Sequence, residues 1–235
     1  MKVVFDLDYT LLDTAKFKEA LAEAVTSCGV SRERYEETYK AVVKREGKVY
    51  DYDPEVHLKL LRRDFPDDQA LGQARERIDG VVAATDKFLF PGSLELLREL
   101  KTEKNKTVLL SLGNEKWQKR KIDTSGLGGH FDRVIATDKH KAGIIRSLLE
   151  QGEKTVVVND NGEEIQEMMR EAPEAVYILK RGPKPVPAEL KVPEADSVAD
   201  IERRLVEEGA LKEARLESGG ELRLESRPGG GPFRI

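Results

Sequence analysis

The sequence predicts an α/β protein: a Rossmann-like parallel sheet core flanked by helices, with an inserted all-helical domain. Three observations carry this. Short β-branched runs recur along the chain, at Val3-Val4-Phe5, 107–110, Val134-Ile135, 155–158 and 176–179. Helix-patterned segments at 94–100, 142–149 and 163–170 lie between the later runs. Strands that alternate with helices argue for a parallel sheet covered on both faces, and near-continuous apolar strands fit that burial. From about residue 16 to residue 87, by contrast, no convincing strand is visible.

Within that stretch the periodicity is helical throughout. Phe17, Leu21, Ala24 and Cys28 share a face, and Ser31 offers an N-cap to a helix carrying Tyr35, Tyr39, Val42 and Val43. Asp53-Pro54 reads as an N-cap followed by proline in the first turn, ahead of Val56, Leu60 and Leu61. A further helix spans about 68–82, with Leu71, Ala74, Ile78 and Val81 on one face. The return to the core is marked by Pro91-Gly92, with Ser93 as a cap and Leu94, Leu97 and Leu100 as a buried stripe. A last helix is expected over 197–206, and then a candidate hairpin around Gly219-Gly220 with a flexible end. The predicted division is a core of residues 1–13 and 90–206, a helical cap of 14–89, and a C-terminal extension of 207–235.

Composition sets the outer limits. The chain has 235 residues, 39% hydrophobic and 36% charged, with a net charge of −4 and both signs interspersed. That is the balance of a charge-rich globular protein, with no general basic surface for nucleic acid or an anionic membrane. A single cysteine, Cys28, excludes an internal disulfide and a multi-cysteine zinc site. Its apolar helical setting reads as core rather than reactive. The N-terminus enters a strand without a signal-peptide pattern, and no apolar run approaches about 18 residues. The expectation is a cytoplasmic protein with no membrane partner.

The informative residues sit at the strand ends, where ligands bind in an open parallel sheet. The first strand ends in Asp6 and Asp8, with Thr10 just after. Strand alternation predicts that both carboxylates point to one side, where like charges repel. The 107–110 strand runs into Ser111, Leu112, Gly113 and Asn114. Lys139 and Lys141 follow Val134-Ile135, and Asp160 and Glu164 follow the 155–158 strand. Singly, each fits a cap, a turn or a solvated charge. Together they place acids, a hydroxyl and a lysine along one edge of one sheet.

In this order the segments FDLDYTLLDT, LLSLGN, TDKHKAGII and VVVNDNGEEI resemble the motifs of the haloacid dehalogenase-like hydrolases. The resemblance covers about residues 1–205 and places the helical insertion where many members carry a cap. It departs at the last motif, where Asn159 and Glu164 stand in place of the usual Gly and Asp. It implies a Mg²⁺-dependent phosphatase acting on a small phosphorylated metabolite through an aspartyl-phosphate. Asp6 would be nucleophile and Asp8 the acid and base, its pKa raised by the neighbouring carboxylate. Thr10, Ser111 and the amides near Leu112 and Gly113 would hold the phosphoryl oxygens, with Lys141, or alternatively Lys139, balancing charge. Asp6, the Asp8 carbonyl, Asp160 and Glu164 would serve the metal. A phosphate-sensing or protein-binding module with little turnover, and a phosphomutase or phosphotransferase, remain the alternatives.

Overall fold

The computed structural model describes residues 1–45, 48–49 and 52–212. The candidate hairpin at Gly219-Gly220 lies outside the described residues. Six strands form one parallel sheet: β1 (Lys2–Phe5), β4 (Lys106–Leu112), β5 (Arg133–Thr137), β6 (Thr155–Asn159), β7 (Val176–Lys180) and β8 (Glu194–Ala195). Their spatial order is β5-β4-β1-β6-β7-β8. β1 is therefore central, with Lys2 opposite both Lys106 and Thr155, and Phe5 opposite both Leu109 and Val158. The chain builds outward on one side of β1 and then crosses to the other. That reversal opens a crevice at the carboxyl ends of β1, β4 and β6.

The pleat sorts the strand residues onto two faces. Val3 and Phe5 join Leu97, Leu100, Ile201 and Leu205 in one core, below the helices Ser93–Thr102 (α5) and Val198–Glu207 (α9). Val4 joins Ile145 and Met168 in the other core, below Lys141–Leu148 (α7) and Gly162–Glu171 (α8). Each fully buried aliphatic side chain contributes about 1.5–3 kcal/mol. The strands are apolar on both faces because both faces are covered. β8 escaped the sequence because two residues, one of them Glu194, carry no periodicity.

Between β1 and α5 the described residues make four α-helices, Thr14–Thr26 (α1), Arg32–Val43 (α2), Pro54–Leu61 (α3) and Asp68–Ala83 (α4), and a short 3-10 helix at Thr85–Phe88. Each α-helix start is chemically marked. Asp13, Ser31, Asp53 and Asp67 accept backbone hydrogens from the first turns, and Pro54 opens α3. Their apolar faces share one core that includes Phe17, Leu21, Val25, Leu61 and Ile78. Trp117, from the helix Glu115–Ser125 (α6) of the sheet region, completes that core. The insertion also holds a short antiparallel pair, Lys44–Arg45 (β2) with Lys48–Val49 (β3), which the helical reading did not foresee. Two-residue strands leave no sequence pattern.

The connectors into and out of the insertion run side by side. The Asp13 amide donates to the Phe88 carbonyl at 2.7 Å, and the Phe90 amide donates to the Leu11 carbonyl at 2.9 Å. Ser93 does not cap α5 as expected. Gly92 takes the cap position in a left-handed conformation (φ 86°), and the Ser93 hydroxyl donates to the Leu11 carbonyl at 3.1 Å. Among the described residues no helix is long and apolar enough to cross a membrane.

His57 on α3 is completely buried, with Nε2 2.8 Å from the Thr38 hydroxyl and Nδ1 3.0 Å from the Tyr52 hydroxyl. Burial pushes its pKa down to about 4, against a hydrogen bond involving the Tyr35 backbone. The unfolded chain takes up a proton below the ordinary histidine pKa of about 6.5 that the folded chain refuses. Stability should therefore fall as pH drops from about 6.5 to 4, by about 3 kcal/mol for this group. Thermal unfolding across that range checks this, with His57→Gln expected to show a flatter profile. Parallel profiles for the two proteins would refute it.

Candidate active site

β1 stops at Phe5, so Asp6 and Asp8 come from the loop beyond it and not from one strand face. The loop closes tightly: the amides of Thr10, Leu11 and Leu12 all donate to the Leu7 carbonyl. Tyr9 adopts a left-handed conformation (φ 59°) that lets the chain turn. Leu7, Leu11 and Leu12 point into the core with no exposure, and the two carboxylates line one cavity of about 370 Å³.

Each carboxylate meets its own lysine, from helices on opposite faces of the sheet. Lys141 Nζ lies 2.6 Å from Asp6 Oδ1 and 2.9 Å from Glu164 Oε2. Burial opposes the ammonium form of Lys141, and the two carboxylates more than restore it, holding its pKa above the ordinary value. Lys139 is exposed. Of the two candidate lysines, the fold brings in Lys141.

Asp8 departs from the sequence expectation. Lys121 Nζ sits 2.8 Å from both its oxygens, the Gln118 amide donates at 3.0 Å, and the Thr14 hydroxyl donates at 2.8 Å. Burial raises its pKa, but Lys121 and these hydrogen bonds outweigh burial and hold it below the ordinary range. The net shift is downward, opposite to the rise expected from the neighbouring carboxylate. The sequence reading missed Lys121 and Gln118. The signal available was that both fall on the inward face of α6 with Trp117 and Ile122, where a helix against a sheet is ordinarily apolar.

Asp160 and Glu164 share the cavity but not their surroundings. Glu164 accepts from Asn159 Nδ2 at 3.0 Å and Asn161 Nδ2 at 2.9 Å as well as from Lys141. Burial raises the Glu164 pKa, and these partners overcome it, for a net lowering. Asp160 Oδ2 is buried with no hydrogen-bond partner among the described residues. Burial, then the charge of Asp6, push the Asp160 pKa up, and burial pushes up that of Asp6 against Lys141. Gly182 leaves room at this carboxylate, because a Cβ there would stand 3.1 Å from Oδ2.

The phosphate-binding candidates are close by with different commitments. Thr10 is fully buried and its hydroxyl has no partner among the described residues. Ser111 donates to Gln118 Oε1 at 2.9 Å. Leu112 and Gly113 line the cavity, but the Gly113 amide donates to the Thr137 carbonyl at 2.7 Å. That amide is not available to a phosphoryl oxygen as the chain stands. Asn114 caps α6 by accepting from the Trp117 amide. Among the described residues no three His, Cys, Asp or Glu side chains group closely enough to hold a metal by themselves.

This site, in this sheet, identifies a class. The family model for haloacid dehalogenase-like hydrolases matches residues 3–172, and the chain belongs to that family. It is an enzyme family, and the fold agrees with solved members. A protein from Burkholderia xenovorans LB400 assigned as a haloacid dehalogenase-like hydrolase superposes with a TM-score of 0.70 at 22% identity. The match covers 88% of this chain and 96% of that one. The magnesium-bound YfnB from Bacillus subtilis, assigned as a hydrolase of the same family, gives 0.56 at 14% identity, covering 87% and 97%. L-2-haloacid dehalogenase from Xanthobacter autotrophicus, with chloropropionic acid covalently bound, gives 0.54 at 16% identity, covering 88% and 98%. No curated protein matches the sequence.

Removing Lys141 strands the buried Asp6 carboxylate beside the half-buried Glu164. Lys141→Met should lower stability by about 3 kcal/mol in chelator. Denaturant unfolding measures this, and a change below about 1 kcal/mol would show that the pair is not held as described.

Proposed function

We propose that the chain is a Mg²⁺-dependent phosphatase that transfers the phosphoryl group of a small monoester to Asp6 and then to water. The single observation that carries this is the unpartnered, buried Asp160 oxygen in the cavity that Asp6 and Asp8 also line. Displacing a halide from carbon needs no leaving-group acid at Asp8 and no second crowded carboxylate. A dianionic phosphate needs both an acid and a cation.

The donor set fits Mg²⁺. Asp6 and Asp160 are buried hard oxygen donors that line the same cavity, and the charge of Asp6 suppresses the ionisation of Asp160. With the Asp8 carbonyl and water they would complete an oxygen shell, Glu164 assisting through water. The bound ion supplies neutralisation of the phosphate and of the carboxylate crowding. Two side-chain carboxylates suffice because Mg²⁺ keeps several waters.

In the first half-reaction an Asp6 oxygen attacks phosphorus as the bond from phosphorus to the leaving oxygen breaks. Asp8 gives that oxygen a proton. In the second half-reaction Asp8 takes a proton from water, which attacks the phosphoaspartate and frees Asp6 and inorganic phosphate. The ionised Asp8 held by Lys121 is ready for the second half. For the first it must take up a proton, which an arriving phosphate dianion favours by placing negative charge beside it. Thr10 and Ser111 offer hydroxyls to the phosphoryl oxygens, Ser111 by turning from Gln118. Lys141 balances the charge on Asp6. The segment 14–89 acts as the cap over this chemistry, and 1–13 with 90–206 as the core.

Phosphate release from p-nitrophenyl phosphate should require Mg²⁺ and fall at least a thousandfold in Asp6→Asn. Asp160→Asn should raise the Mg²⁺ concentration needed. Asp8→Asn should impair esters of alkyl alcohols more than the nitrophenyl ester, whose leaving group needs little protonation. Activity unaffected in Asp6→Asn, or chloride release from 2-chloropropionate without any phosphatase activity, would refute the proposal.

A further inference from the structure

The cavity has two unlike ends. Near Asp8 the polar side chains already hold one another, since Thr14, Gln118 and Lys121 all donate to that carboxylate. The far wall is built of rings. Phe17 meets Trp117 at 6.1 Å between centroids, Trp117 meets Tyr52 at 5.1 Å, and Tyr52 stacks on Tyr39 at 5.2 Å. All four line the cavity, with Leu21 and Val43 beside them.

The wall is fixed from behind. The Thr38 hydroxyl lies 2.7 Å from the Arg34 carbonyl and 2.8 Å from His57 Nε2. His57 Nδ1 lies 3.0 Å from the Tyr52 hydroxyl. The polar atom of Tyr52 is thus satisfied by a residue with no exposure, and its ring is presented at a set angle. Tyr9 adds a second sign. A non-glycine residue in the left-handed region costs about 1 kcal/mol. Here it sets a tyrosine ring in the cavity lining with Lys18 above it, Nζ 5.3 Å from the ring centroid and 3.2 Å from the hydroxyl.

Resting on the phosphatase reading, we propose that the leaving group is a ring-bearing alcohol seated against Phe17, Trp117, Tyr52 and Tyr39, and not a polyhydroxylated sugar. A sugar would set several hydroxyls against this wall, and each one left unpaired loses its bonds to water. A flat ring loses nothing there and gains edge and face contacts. Lys18 at the rim offers a cation to the ring face or to an electronegative substituent.

Benzyl phosphate and glucose 6-phosphate compare the two classes with similarly poor leaving groups. Benzyl phosphate should be favoured at least tenfold in kcat/KM, mainly through KM, and Tyr39→Ser should narrow that ratio. Trp117 is the only tryptophan of the chain, so its fluorescence in Asp6→Asn reports binding without turnover. The same order of affinity is expected there. Equal or tighter binding of the sugar ester, or a ratio unchanged in Tyr39→Ser, overturns the proposal. Hydrolysis of neither ester, nor of p-nitrophenyl phosphate, would defeat the phosphatase reading alone, because the fluorescence titration still decides what the wall prefers.

Discussion

Four carboxylates, those of Asp6, Asp8, Asp160 and Glu164, line one cavity, and their mutual repulsion is the constraint around which the site is arranged. Carboxylates this close either lose their charge or acquire cations. The protein does both, by position. Lys141 is shared between Asp6 and Glu164, Lys121 serves Asp8, and Asp160 is left with an unpartnered oxygen and a raised pKa. The result is an asymmetric field in which Asp8 and Glu164 are held ionised while Asp6 and Asp160 resist ionisation. A divalent cation would relieve the second pair without disturbing the first.

The fold makes that asymmetry available. The loop after the central strand sets Asp6 and Asp8 in the crevice, and the helices on the two faces of the sheet reach it from opposite sides, α7 with Lys141 and α6 with Lys121. Gln118 ties the two regions together, donating to Asp8 while accepting from Ser111. A ligand that draws the Ser111 hydroxyl toward itself would therefore also act on the hydrogen bonding of Asp8. Under the phosphatase reading proposed above, the acid and base chemistry and the binding of the phosphoryl group would share one network.

The insertion is joined to this network through Trp117. That residue belongs to the sheet region by sequence and to the insertion's core by packing. It is also adjacent to Gln118, so the ring wall and the polar floor of the cavity are built from successive residues of α6. The paired connectors at Asp13–Phe88 and Phe90–Leu11 hold both crossings in one place.

Much of this was legible in the sequence for local physical reasons. Alternating strands and helices announced the sheet, the N-caps at Ser31 and Asp53-Pro54 announced helix starts, and the order of polar residues at strand ends pointed to the candidate site. Those signals depend only on neighbours along the chain. What the chain order could not carry was who faces whom. Lys121 approaches Asp8 from more than a hundred residues away, so its place on the inward face of α6 could mark it as unusual but could not name Asp8 as its partner. The same holds for the Gly113 amide donated to Thr137, the aromatic wall closed by Trp117, and the choice of Lys141 over Lys139. Lys141 opens α7 and turns inward, whereas Lys139 lies before the helix and is exposed, an outcome that the packing of α7 against the sheet sets. The sequence by itself determined the elements and the chemical types at their ends. Tertiary structure alone decided the pairings, because electrostatic shifts and cavity walls depend on distances between residues that local periodicity does not encode.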